Sequence, residues 1–91
     1  MTKHEELRKQ INKIDESLVE LFEARMHICQ KIASYKKDEN IKIFDEEREK
    51  EVVKKNIGRL TDHSLDLHAE RFFKELMKIS REIQKEHIQS I

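Results

Sequence analysis

The chain has 91 residues, of which 42% are charged and 36% hydrophobic, with one glycine and no proline. Almost nothing in this composition interrupts a helix, so we expect a single all-helical domain. Lys plus Arg number 19 and so do Asp plus Glu, which argues against a protein whose main task is to bind nucleic acid or an anionic membrane. No segment reaches the ~18 apolar residues of a membrane-spanning helix, and the N-terminus lacks the apolar core of a signal peptide. We therefore expect a cytoplasmic protein.

Cysteine and histidine give no support for a disulfide or a metal centre. Cys29 is the only cysteine, and the five histidines are scattered without the spacing of zinc ligands. We expect no metal site, and we expect Cys29 to be a buried, inert thiol beside an apolar stripe.

A regular apolar series predicts a very long first helix over residues 4–37. Its members alternate between spacings of four and three, which keeps them on one face: Leu7, Ile11, Ile14, Leu18, Leu21, Ile28, Ile32 and Tyr35. Such a helix is ~50 Å long, whereas a compact protein of this size has a radius of gyration of ~12 Å. We therefore expect a second copy of the chain to cover the stripe in an intertwined homodimer.

Two further helices are predicted, a short one over residues 45–60 and a medium one over residues 65–88. Asp45 is the expected N-cap of the second helix, and Gly58 is expected to end it in the left-handed conformation. Ser64 is the expected N-cap of the third helix. No repeat or linker divides the chain, so residues 1–91 are expected to form one all-α domain of three helices.

Two cationic residues stand out on the first helix. Arg25 occupies a slot of the apolar stripe, and Lys36, eleven residues later, lies ~20° off the same face and ~16 Å along the axis. Together they could hold one small anion between them. Taken alone, Arg25 is more often a residue that extends to solvent or pairs with a carboxylate on another helix.

The other helices add polar residues that could face a common cavity. The second helix offers Asp45, Arg48 and Glu49, and the third offers Ser80 beside Gln84, four residues apart. Each group alone is typical of a solvated helix face. The chain has no nucleophile with a base, no paired carboxylates at acid–base spacing and no glycine-rich phosphate loop. A site built from these groups would act by electrostatics and by control of substrate conformation.

Three separated motifs carry a resemblance to a known family. They are LRKQINKIDESLVELFEARMHICQKIASYK in the first helix, DEERE at the start of the second and SREIQ in the third. In this order and spacing they resemble the all-helical, type II class of chorismate mutase over nearly the whole chain. The resemblance implies the Claisen rearrangement of chorismate to prephenate in phenylalanine and tyrosine biosynthesis, with no cofactor. It also implies a free-standing mutase without a fused domain.

The resemblance assigns substrate-binding roles at the carboxylate groups of chorismate. It implies that Arg8 and Arg25 bind the two carboxylates, with Ser80 beside the ring carboxylate. Arg48 would support the carboxylate end.

The resemblance assigns the other four residues to the ether oxygen and to the ring hydroxyl of the substrate. It implies that Lys36 and Gln84 donate to the ether oxygen, which gains negative charge as the carbon–oxygen bond breaks. Glu49 and the main chain of Asp45 would hold the ring hydroxyl. Of the eight residues, the catalytic set is then Arg25, Lys36, Glu49 and Gln84.

Helix geometry adds a reason to expect a dimer. Arg8 and Arg25 are seventeen residues apart, which separates them by ~26 Å and turns them ~100° away from each other. If both bind one small molecule, Arg8 must come from an antiparallel second chain, and the dimer then has two equivalent sites.

One departure from the family pattern and two alternative functions stay open. Family members often carry Pro-Val where this chain has Lys42 and Ile43, which predicts a more mobile loop and weaker binding. The closest alternative is isochorismate-pyruvate lyase on the same fold, although Ser80 and Glu49 fit the mutase pattern better. The other is a non-catalytic helical dimer that binds another protein, in which Arg25→Leu would stabilise the stripe and abolish nothing.

Overall fold

The computed structural model describes all 91 residues and consists almost entirely of helices. Helix α1 spans Lys3–Asp38, α2 spans Glu46–Gly58 and α3 spans Asp66–Ser90, with one 3₁₀ turn at His63–Leu65 before α3. The prediction of an all-helical chain with three helices is confirmed. None of these helices combines the length and the apolar character needed to cross a lipid bilayer.

Helix α1 sets the size of the molecule. Its first turn is capped by Thr2, whose side chain accepts a hydrogen bond from the backbone N–H of Glu5 at 3.2 Å. Its last turn carries Lys36 and Lys37, where the helix dipole favours positive charge. A 36-residue helix is ~54 Å long, and the longest dimension of the molecule is 55 Å. The radius of gyration, 16.5 Å, accordingly exceeds the ~12 Å of a compact chain of this length.

Helix α3 packs against both other helices and forms a small core with them. The buried apolar residues are Met26, Cys29 and Ala33 of α1, Val53 of α2 and Met77 of α3. Every buried residue of α1 lies in its second half, so α3 covers that half only. Cys29 is buried, as its position beside the stripe predicted.

The start of α2 follows the prediction, whereas its end does not. Asp45 is the N-cap, and its Oδ1 accepts from the backbone N–H of Arg48 at 3.0 Å. The expectation for Gly58 was wrong: it is the last residue of α2 and has no positive φ. The helix instead ends at Gly58, and the φ and ψ angles of the following residue, Arg59, are still helical. The left-handed conformation occurs after α1, at Asn40, where φ is 55°.

The start of α3 also differs from the prediction, because Ser64 is not its N-cap. Asp62 caps the 3₁₀ turn, and its Oδ1 accepts from both the backbone N–H and the hydroxyl of Ser64, at 3.1 and 2.6 Å. A carboxylate accepts hydrogen bonds more strongly than a hydroxyl. Asp62 therefore acts as the cap, and both donors of Ser64 bind to it. The helix begins at Asp66, and its cap residue Leu65 makes no side-chain hydrogen bond to it.

The helical backbone at Gly58 and the left-handed backbone at Asn40 predict opposite effects of an alanine substitution on stability. A Cβ at Gly58 meets no atom within 4 Å, so Gly58→Ala should stabilise the protein by ~0.4–1 kcal/mol through a smaller loss of chain entropy. Asn40→Ala should destabilise it by ~1 kcal/mol, because alanine resists positive φ. Urea denaturation measures both. Destabilisation by Gly58→Ala would contradict a helical Gly58.

Candidate functional site

A cavity of about 290 Å³ lies where the second half of α1, the start of α2 and α3 meet. Seven of the eight residues expected in the site line this one cavity: Arg25, Lys36, Asp45, Arg48, Glu49, Ser80 and Gln84. Residues that are up to 59 positions apart in the sequence are thereby brought together, as the expectation of a common cavity required.

Arg25 is held by neutral groups. Its Nη1 donates to Ser80 Oγ at 2.6 Å and to Cys29 Sγ at 3.7 Å, and the Ser80 hydroxyl donates in turn to the carbonyl of Leu76 at 2.7 Å. Arg25 forms none of the ion pairs of the structure. The interpretation of Arg25 as the partner of a carboxylate on another helix therefore does not hold within this chain. Its charge is available to an anion in the cavity.

Lys36 and Gln84 present unused hydrogen-bond donors. Lys36 Nζ donates to the carbonyl of Ile43 at 3.0 Å, which leaves two of its three N–H groups free. Gln84 is 9% exposed, its side chain makes no hydrogen bond to a protein group, and none of its side-chain polar atoms is fully buried. Its amide therefore keeps some accessible surface, and the residue lines the cavity. Such a group is suited to bind a polar ligand.

Glu49 is paired with a residue that sequence reasoning missed, Arg81. Arg81 Nε donates to Glu49 Oε2 at 2.8 Å and Nη2 to Oε1 at 3.4 Å, and the guanidinium lies 4.6 Å from the centre of the Phe44 ring. The hydrogen bond to Glu49 raises the pKa of Arg81. Arg81 follows Ser80 directly within SREIQ, yet its partner lies 32 residues away, and local spacing gives no signal of that pairing.

Asp45 and Arg48 lie at the solvent side of the cavity. The Asp45 side chain caps α2 through its Oδ1 atom. Arg48 forms only a long pair with Glu51, 3.7 Å apart, with both side chains more than 60% exposed. A pair of this kind contributes little to stability, and Arg48 is free to turn toward an anion.

The cavity is locally basic in a chain of zero net charge. Four of the lining residues are cationic, Arg25, Lys36, Arg48 and Arg81, and two are acidic, Asp45 and Glu49. The excess of two positive charges, held close together in a concave site, favours a small dianion.

The structure does not bring Arg8 to the other seven residues. Arg8 lies near the start of α1 in a shallow hollow with His4, Leu7, Ile11 and Asn12. Seventeen residues of helix separate it from Arg25, a distance of ~26 Å. Within one chain, the two guanidinium groups do not reach the same small ligand.

The comparisons with known proteins give one positive result. The family model described as Chorismate mutase type II matches residues 7–85, a span that contains all eight expected site residues. The comparisons with curated proteins and with solved structures find no match. Because the family model covers most of the chain, the protein belongs to the type II chorismate mutase family.

Proposed function

We propose that the protein is a chorismate mutase that converts chorismate to prephenate in the cavity between α1, α2 and α3, on the way to phenylalanine and tyrosine in the cytoplasm. Membership of the family supports a reaction of this type. The observation that supports it most strongly is the cavity with two excess positive charges, because chorismate carries two carboxylates. The rearrangement is unimolecular, so the site has to bind, orient and stabilise.

Substrate binding would rest on the guanidinium groups of the cavity. Arg25 has a planar fork suited to a carboxylate, and its bond to Ser80 fixes the direction of that fork. Ser80 would lie beside the same carboxylate, and Arg48 would turn in from the solvent side. These charge-assisted bonds form in both the ground state and the transition state, so they mainly set the affinity for chorismate.

Catalysis would come from Lys36 and Gln84. As the carbon–oxygen bond breaks, negative charge grows on the ether oxygen, and donors fixed beside it bind the transition state better than the ground state. Lys36 is oriented by its bond to Ile43, and Gln84 is a buried residue, 9% exposed, that lines the same cavity. Lys36 is therefore held in place before the reaction, and the surrounding side chains restrict Gln84.

The ring hydroxyl of chorismate would be held by Glu49 and by the main chain of Asp45. This contact selects the folded, diaxial conformer in which the two reacting carbon termini meet. The Asp45 cap fixes the main chain there, and the bond to Arg81 fixes the Glu49 carboxylate. No proton has to move in the step.

The eighth residue, Arg8, would come from a second copy of the chain. The apolar stripe of α1, from Leu7 to Tyr35, is 40–68% exposed at each of its large residues, an area that a monomer rarely leaves open to water. An antiparallel copy of α1 would cover the stripe and carry its Arg8 toward the cavity of the first chain. An intertwined homodimer would then contain two equivalent sites.

The first prediction concerns the reaction itself. Purified protein incubated with chorismate should yield prephenate, identified by NMR, while isochorismate in a parallel sample stays unchanged. Formation of salicylate and pyruvate from isochorismate, with no prephenate from chorismate, would show that the protein is an isochorismate-pyruvate lyase and not a mutase. Turnover of neither compound would contradict an enzymatic function on this class of substrate.

A second prediction tests the donors at the ether oxygen. Lys36→Ala should lower kcat by ~10²–10³-fold, the loss typical of removing one fixed donor from a developing oxyanion. Lys37→Ala is the matched control, because Lys37 is the exposed neighbour outside the cavity. Steady-state kinetics with chorismate would decide the matter. Near-normal kcat in Lys36→Ala would remove Lys36 from the catalytic set.

A third prediction tests whether Arg8 acts across a dimer. Arg8→Ala and Lys36→Ala should each be nearly inactive, but in a mixed dimer one site regains both residues. Random pairing makes half of the dimers mixed, with one intact site of two, so activity should recover to about a quarter of the wild-type value. Co-refolding of equal amounts followed by kinetics measures this recovery.

The control for the mixed dimer is the pair Arg25→Ala with Lys36→Ala. Both residues line the cavity of the same chain, so no pairing restores a complete site. Recovery of activity in this control would contradict the shared site. A mixture of Arg8→Ala and Lys36→Ala that recovers no activity would contradict it as well.

A further inference from the structure

The pair Glu49–Arg81 forms a wall between two cavities. Both residues line the candidate site, and both also line a larger hollow of about 570 Å³ between α2 and α3. Their side chains are 22% and 29% exposed, and two hydrogen bonds of 2.8 and 3.4 Å join them. Phe44 lies against the Arg81 guanidinium at 4.6 Å. The bonds to Glu49 and the contact with Phe44 together fix the plane of the Arg81 guanidinium.

The charges of Glu49 and Arg81 affect how well the cavity can bind a dianion. A free Glu49 carboxylate in the cavity would repel a doubly negative substrate, and in a partly buried site that repulsion is only weakly screened. Arg81 compensates the charge. Each Glu49 oxygen uses one lone pair on Arg81 and keeps another, so the carboxylate can still accept a hydrogen bond from a ligand hydroxyl.

We propose that Arg81 is a positioning residue that acts through Glu49, fixing the orientation of its carboxylate and cancelling its charge, while Phe44 keeps Arg81 from turning to the substrate. The inference rests on the proposed function, since Glu49 is there the acceptor for the ring hydroxyl. Arg81 belongs to none of the residues assigned from the family resemblance. Its bonds to Glu49 and its contact with Phe44 are what assign this role.

The test begins with two substitutions of Arg81. Arg81→Met keeps the aliphatic stem and removes the charge and both hydrogen bonds, and it should lower kcat/KM by ~10–100-fold, with KM rising more than kcat falls. Arg81→Lys keeps the charge without the fork, and it should restore most of the KM but not the kcat. Relative to wild type, the rise in KM should persist at high ionic strength, because salt only weakly screens charges in a partly buried site.

Arg71→Met is the matched control. Arg71 lies exposed on the same helix and outside the cavity, so its removal subtracts the same charge and should leave both constants unchanged. Circular dichroism and urea denaturation of each variant separate a loss of fold from a loss of function. If Arg81→Met does not fold, Arg81→Lys carries the test alone, through its kcat.

A double-mutant cycle with Glu49→Gln decides whether Arg81 acts through Glu49. In the Glu49→Gln background there is no charge to cancel, so Arg81→Met should cost less than about threefold in kcat/KM. An equal loss in both backgrounds would show direct action on the substrate and overturn the proposal, as would an Arg81→Met enzyme within twofold of wild type. A wild-type protein inactive on chorismate would instead overturn the proposed function.

Discussion

The constraint on which the rest of this structure depends is the length of α1. The helix has 36 residues, and the chain that follows it buries residues of its second half only. The covered half forms the small core and one side of the cavity. The apolar stripe stays exposed along the whole helix, and Arg8 in the first half lies away from the cavity of its own chain. The proposed dimer would cover the exposed stripe of α1 and bring Arg8 to the cavity of the partner through one contact, because Arg8 lies on the same helix as the stripe.

The cavity concentrates positive charge in a protein whose charges otherwise balance. Such a cluster opposes folding, because each cation repels the others and loses hydration. The structure limits this cost by different means at different residues. Arg25 is held by a hydroxyl and a thiol, Lys36 by a carbonyl and Arg81 by Glu49. Only the last of these contacts cancels a charge, so the attraction for an anion is retained at Arg25 and Lys36.

The sequence was informative where a feature depends on helical periodicity or on one local hydrogen bond. The stripe from Leu7 to Tyr35 predicted α1, and the Asp45 cap followed from residue type and position. The prediction for Ser64 was wrong because Asp62 accepts from both of its donors, and the prediction for Gly58 was wrong because α2 ends without a left-handed residue. Seven of the eight site residues meet in one cavity, and the family pattern had selected them.

Arg81 could not be found in this way, because its role depends on the packing of α3 against α2. The pattern of spacings within one helix records which residues share a face, but not which residue of another helix lies opposite. The bond from Arg81 to Glu49 spans 32 positions and two helices. Sequence reasoning therefore identified seven polar residues that line the cavity and missed Arg81, whose partner lies on another helix.

The same contacts bear on the missing proline before α2. With Lys42 and Ile43 in place of Pro-Val, the backbone of the loop is less restricted, which predicts more mobility. The structure attaches three consecutive residues at the end of this loop through side chains of the site. Lys36 binds the carbonyl of Ile43, Arg81 stacks on Phe44, and the Asp45 side chain caps α2.

Loop and site are thus parts of one network, in which each member restrains the next. A stiff proline would hold the loop whatever the state of the cavity, whereas here two of the three attachments are made by cations that line it. An anion can bind the two free N–H groups of Lys36 while the bond to Ile43, and with it the loop, stays in place. The order of the loop therefore depends on the charges in the site rather than on the intrinsic stiffness of its backbone.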